Sequence, residues 1–168
     1  MEISKKISVF LLTPGPVVLR YAHDKQIPID QVKGELLMKL KERIGLTAEQ
    51  IEEMAKEVRQ FLLDHDMWID ADIYFNGKKF TCYDPVEKKY YYNDPEHLVE
   101  VEDVDPSTYF EYVNKDHILS MSFEGPLYEM INGYGYPDRW LEEFNKIFEK
   151  RGVYYELGHA WNFSCYYI

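Results

Sequence analysis

The chain has 168 residues and a mass of 20.1 kDa, with 46% apolar and 29% charged residues. This is the size and composition of one globular domain, and it excludes a disordered, collagen-like or coiled-coil description of the whole. Nineteen Lys and Arg against 30 Asp and Glu leave a formal charge of −11, the wrong balance for a protein that grips nucleic-acid phosphates with cations.

Lys5 and Lys6 precede an apolar run, Ile7–Leu12, that Thr13-Pro14-Gly15-Pro16 stops. The run is shorter than the roughly 7–15 residues of a signal-peptide core and no small-residue cleavage site follows. It also falls far below the about 20 residues of a membrane span. A cytoplasmic protein is expected, with Cys82 and Cys165 as buried small hydrophobes.

Asp30 caps a predicted helix that carries Val32, Leu36, Leu37, Leu40 and Ile44 on one face and ends at Gly45. Thr47 and Gln50 form a capping-box pattern. The helix they open carries Ile51, Met54, Val58, Phe61 and Leu62 inward. The short Gly45-Leu46 connection makes the two a helical hairpin. Ile69–Phe75 alternates, placing Ile69, Ala71, Ile73 and Phe75 on one side and Asp70, Asp72 and Tyr74 on the other. Asn76-Gly77 is a strong hairpin signal, with Lys79–Tyr83 returning. Asp84-Pro85 turns again into Lys88–Tyr92, completing a predicted antiparallel meander.

Leu98–Val101 is a short predicted strand within an acidic stretch, and Pro106 opens a helical turn through Tyr112. Ile118–Phe123 is a further strand, followed by a short helix at Leu127–Ile131. Asp138 is the expected cap of a helix burying Trp140, Leu141, Phe144, Ile147 and Phe148 and ending at Gly152. Val153–Leu157 and Ala160–Ile168, hinged at Gly158-His159, close the chain as a hairpin. The expectation is one α+β domain over residues 1–168: a helical hairpin and a C-terminal helix packed on a mainly antiparallel sheet of short strands.

The chain contains no Walker loop, GxGxxG, GxSxG or HExxH. Gly133-Tyr134-Gly135 is a GxG fragment, but position 138 is Asp and no predicted strand leads directly into it, so a turn is expected rather than a phosphate loop. Glu156-x-x-His159 is half of a bridged-metal motif without its second copy, and a surface carboxylate and a turn histidine are expected there. Asp70 and Asp72 share a predicted strand face, a spacing that lets two carboxylates flank a cation as in strand-borne DxD transferase sites. No third carboxylate is identified for them, so a solvated polar face is the competing reading. No serine or cysteine has a nucleophile context, and no cofactor is implied.

Fifteen tyrosines against nine phenylalanines are the strongest compositional bias, clustered at Tyr90-Tyr91-Tyr92, Tyr109 with Tyr112, Tyr134 with Tyr136, Tyr154-Tyr155 and Tyr166-Tyr167. Tyrosine suits strands, and it also gives interfaces a large contact area at low entropy cost. Residues 1–84 carry a net charge of −2 and residues 85–168 a net −9. Most of the excess lies in Asp94–Asp116, where Asp94, Glu96, Glu100, Glu102, Asp103, Asp105, Glu111 and Asp116 face Lys115 alone. Such a run is either a solvated loop or an electrostatic docking surface for a basic partner. Extended at roughly 3.3 Å per residue, it offers one net charge per about 11 Å, too dilute to imitate a duplex with one per about 1.7 Å.

In composition only, the chain resembles bacterial immunity proteins and phage or mobile-element inhibitors. The expected function is a non-enzymatic acidic module that binds a basic protein, without direct nucleic-acid or membrane binding. Asp94, Glu96, Glu100, Glu102, Asp103, Asp105 and Glu111 would steer the partner, and Tyr109 and Tyr112 would supply buried contact. The alternative is a small-molecule binder, with a pocket of Tyr134, Tyr136, Trp140 and Trp161 and polar groups from Glu124, Glu156 or His159. Its more specific variant is a metal-dependent transferase using Asp70 and Asp72.

Overall fold

The structure is a computed structural model that describes residues 45–111, 113 and 117–168. The chain divides into two units, Met1–Gly45 and Leu46–Ile168, and the fold below is that of the second. The predicted helix from Asp30 to Ile44, and with it the first arm of the helical hairpin, lies outside the described residues, as does Tyr112.

Helix α1 (Ala48–Asp64) starts at the capping box read from the sequence. Gln50 N–H donates to Thr47 Oγ1 at 3.3 Å and Thr47 N–H to Gln50 Oε1 at 2.9 Å, so two of the helix's orphan donors are satisfied reciprocally. Met54, Ala55, Val58, Phe61 and Leu62 are buried at the predicted 3–4 spacing. Strands β1 (Ala71–Phe75) and β2 (Lys78–Thr81) pair antiparallel through Asn76-Gly77. Both turn residues have positive φ, 49° and 76°, the condition for the tight turn that matches strand twist.

Strands β3 (Tyr83–Asp84) and β4 (Lys89–Tyr90) form a small ribbon, followed by β5 (Val99–Val101), a 3₁₀ turn at Pro106–Thr108 and β6 (Ser120–Phe123). Helices α2 (Gly125–Ile131) and α3 (Asp138–Glu149) lead to β7 (Val153–His159) and β8 (Asn162–Tyr167). The main sheet has the order β5-β2-β1-β6-β8-β7 with antiparallel neighbours throughout. Three helices on a mainly antiparallel sheet of short strands make this an α+β fold, as the patterning predicts. Among the described residues no helix is long and apolar enough to cross a membrane.

One face of the sheet presents Ile73, Phe75, Phe80, Met121, Phe123 and Phe163 to the core that also contains the apolar faces of α1 and α3. The cysteines belong to this core as free thiols. The opposite face is polar. Asp72 lies opposite Thr81 and Ser122, Ser122 opposite Asn162, and Ser120 opposite Tyr74 and Ser164.

Several boundaries differ from the sequence reading. Asp70 precedes β1 in a left-handed conformation, φ 46°, so it and Asp72 are not successive residues of one strand face. Tyr74, expected in water beside Asp72, is buried because Val104 and Phe110 pack on it; the 104–110 segment is held there by Val104 N–H donating to Gly77 O at 2.8 Å. The meander stops after β2: Thr81 Oγ1 accepts from Tyr83 N–H at 3.1 Å, β3 and β4 pair only with each other, and β5 takes the place beside β2. Pro137, not Asp138, is the N-cap of α3, leaving Asp138 in the first turn, where its charge suits the helix dipole. The closing hairpin turns at Ala160-Trp161, and Gly158 instead sits at a register shift within β7.

Candidate functional site

The middle of the acidic segment lies at the outer edge of the sheet, because β5 is an edge strand; from Val104 to Phe110 the chain crosses the polar face, with the Phe110 ring 5.9 Å from Trp161. Its carboxylates divide into two groups. Asp94 folds back on its own loop, with Oδ1 accepting from Glu96 N–H at 2.9 Å and His97 N–H at 3.3 Å, and Oδ2 lying 2.7 Å from His97 Nδ1. Loss of solvent opposes ionisation, but these donors prevail and hold the Asp94 carboxyl below its usual range. Glu100 is tied to Lys78 at 3.0 Å, and the same ammonium reaches Glu52 of α1 at 3.1 Å. Asp105 caps the 3₁₀ turn by accepting from Ser107 N–H at 2.9 Å. Glu96, Glu102, Asp103 and Glu111 are exposed and have no cationic partner among the described residues.

Arg59 fastens this loop to α1. Its Nη2 donates to Asp94 O at 2.8 Å and His97 O at 2.9 Å, and its guanidinium lies 5.6 Å from the Trp68 ring. Burial depresses the Arg59 pKa against the pull of Asp94. A charge held mainly by main-chain carbonyls is an expensive fastening. It fixes the start of the acidic edge.

The polar sheet face opens into a cleft of about 400 Å³ between the β3–β4 ribbon and the β7–β8 turn. Asp70 and Asp72 both line it, with different partners. Asp72 Oδ2 accepts from Lys79 Nζ at 2.6 Å and from Tyr74 OH at 3.1 Å. Burial first, then the Asp72 charge, pushes the Tyr74 phenol well above its ordinary value. Asp70 Oδ1 accepts from Tyr92 OH at 2.6 Å, and that bond raises the Tyr92 pKa. Asp70 O also accepts Glu124 N–H at 3.0 Å, which brings the exposed Glu124 carboxylate, at the start of α2, to the same wall.

Tyrosines flank these acids. Tyr83, Tyr90 and Tyr92 form a ladder on the ribbon, with centroids 4.8 Å and 5.0 Å apart, and all three are exposed. Tyr109, 61% exposed, stands 6.0 Å from Tyr74 and 5.8 Å from Lys79 Nζ. The end of the acidic segment therefore borders the cleft through Lys79.

Among the described residues no three His, Cys, Asp or Glu side chains converge to hold a metal. Cys82 lines the cleft, but burial raises its thiol pKa, which opposes a thiolate nucleophile. Ser120 Oγ lies 2.9 Å from His117 Nδ1, yet Ser120 is fully buried. The aromatic pocket expected from Tyr134, Tyr136, Trp140 and Trp161 does not assemble as such. Tyr136 packs on Trp140, Trp140 on His65, and Tyr134 on Tyr128. Trp161 and Glu124 do line the cleft, and His159 stacks on Trp161 at 5.5 Å. Glu156 instead accepts from Tyr154 OH at 3.3 Å on β7.

Lys79 and Tyr83 were not singled out from the sequence. The Asn76-Gly77 register places Lys79 directly opposite Tyr74, so the hairpin itself carried the signal for Lys79. No model of a known protein family, no curated protein and no solved structure matches this chain.

Proposed function

We propose that the chain is a non-enzymatic binding module, of the immunity- or inhibitor-like kind, that docks a basic protein. The observation that carries this reading is a set of exposed carboxylates, Glu96, Glu102 and Asp103 flanking the edge strand β5 and Glu111 beyond the segment that crosses the sheet, none with a cationic partner among the described residues. The remaining acids of the segment among the described residues are used internally: Asp94 and Asp105 shape its loops and Glu100 pins it to Lys78; Asp116 lies outside the described residues. Exposed carboxylates without cationic partners attract a basic surface and orient it during encounter. Exposed Tyr109 adds contact area near the end of the segment.

Immobilised protein should capture basic proteins from an extract of its source cells. Binding should be lost when salt rises from about 0.1 M to about 1 M, which shortens the screening length from about 10 Å to about 3 Å. The triple variant Glu102→Lys, Asp103→Lys, Glu111→Lys should lose the same proteins while remaining folded, because all three positions are exposed. Capture that ignores both changes would overturn the reading. A second reading, a small-molecule binder, draws support from the cleft of about 400 Å³, a volume within the range of ligand pockets.

A further inference from the structure

Asp70, Asp72, Lys79, Tyr90 and Glu124 line the cleft and, with tyrosines beside it, form two sets of the same chemical groups. On one side Lys79 Nζ lies 2.6 Å from Asp72 Oδ2, 5.5 Å from the Tyr74 ring and 5.8 Å from the Tyr109 ring. The protein's own cation is thus held by a carboxylate and two tyrosine faces, a combination that attracts a cation through charge and ring quadrupole together. On the other side stand Asp70, Glu124, Tyr90 and Tyr92. No lysine or arginine among the described residues pairs with either carboxylate. Asp70 is held in a left-handed conformation, φ 46°, and oriented by the Tyr92 hydroxyl, so its carboxylate is pre-positioned.

We propose that this second set receives an arginine side chain of a basic partner protein, an assignment that rests on the docking function proposed above. A guanidinium is favoured over an ammonium for two reasons. Its planar fork can address two carboxylates at once, and its face can stack on a tyrosine. Tyr90, 52% exposed, offers such a face, and Trp161 offers apolar surface to the methylene stem. Lys79 lines the same cleft and lies 5.8 Å from the exposed Tyr109 ring, so an arginine anchored here leaves its neighbours close to the acidic segment. The edge then serves encounter and the cleft serves retention.

The test is a titration of the full chain with N-acetyl-arginine amide, followed by backbone amide NMR shifts. The neutral citrulline and the lysine counterparts are run beside it. Titration to about 20 mM covers dissociation constants in the millimolar range. Saturable shifts are expected at Asp70, Tyr92 and Glu124, stronger for arginine than for lysine and absent for citrulline. Glu124→Gln and Asp70→Asn should each weaken binding about fivefold, whereas Glu142→Gln, exposed on α3 on the other side of the sheet, should keep it within about twofold. Absence of saturation, equal binding of citrulline, or indifference to both cleft variants overturns the proposal. Failure of this titration leaves the capture experiment to decide the docking function alone. Saturable arginine binding without charge-dependent capture overturns the protein source and leaves a site for a small guanidinium ligand.

Discussion

His117 shows how a single half-buried side chain gives this protein a pH dependence. Burial lowers its pKa below the ordinary 6.5, against the opposing pull of Asp105, and Nδ1 is engaged by Ser120 Oγ, which also lies 2.8 Å from Ser164 Oγ. The unfolded chain binds a proton at this ring in a window where the folded protein still excludes it. Stability from this residue is therefore fully present above 6.5 and declines as the pH falls below that value. One proton limits the slope to about 1.4 kcal/mol per pH unit. Denaturation curves between neutral and mildly acidic pH should show this decline, and His117→Gln should flatten it; an unchanged slope in the variant would assign the effect elsewhere. Tyr91, hydrogen-bonded to Glu87, is pushed up to about 12, so this phenol stays protonated and acts as a donor to the carboxylate.

At the scale of elements, β8 joins the sheet to the helical layer. It lies between β6 and β7, and fully buried Phe163 meets Phe123 at 5.7 Å, Phe148 at 5.8 Å, Phe144 at 6.1 Å and Tyr155 at 4.4 Å. Such edge-on and stacked rings add to the burial of apolar area. Phe163→Ala should lower the unfolding free energy by about 3–5 kcal/mol in urea titrations. Deletion of residues 162–168 should abolish the cooperative transition altogether, because it removes an interior strand and strips partners from two neighbours. A truncated chain that still unfolds cooperatively would contradict this role. The edge strands differ in character: β5 is short and flanked by acids, features that discourage edge-to-edge pairing, while β7 is seven residues long and bulged near Gly158.

For the whole molecule, a charge of −11 opposes compaction, although ion pairs such as Lys78 with Glu52 and Glu100, and Arg151 with Glu57 at 2.8 Å, work in the other direction. Exposed pairs contribute little individually, so self-repulsion should dominate. Raising sodium chloride from about 0.02 M to about 0.2 M should raise Tm by about 2–4 °C, corresponding to about 1 kcal/mol for a chain of this size. A falling Tm would show that the ion pairs outweigh the repulsion.

The sequence by itself determined the elements whose signals are local. The Thr47/Gln50 box, the 3–4 spacing from Met54 to Leu62, the Asn76-Gly77 turn and the apolar stripe of α3 are interactions between residues a few positions apart, and each appears where its pattern lies. The acidic run and the exposed tyrosines were legible as composition. Only the tertiary structure decided what they do together. The convergence of Asp70, Glu124 and the tyrosine ladder depends on β6 and α2 arriving beside β1, and the burial of Tyr74 depends on the 104–110 segment crossing the sheet. Neither strand order nor loop path is encoded in a residue's near neighbours, because long-range pairing is chosen by the combined burial of all the faces at once.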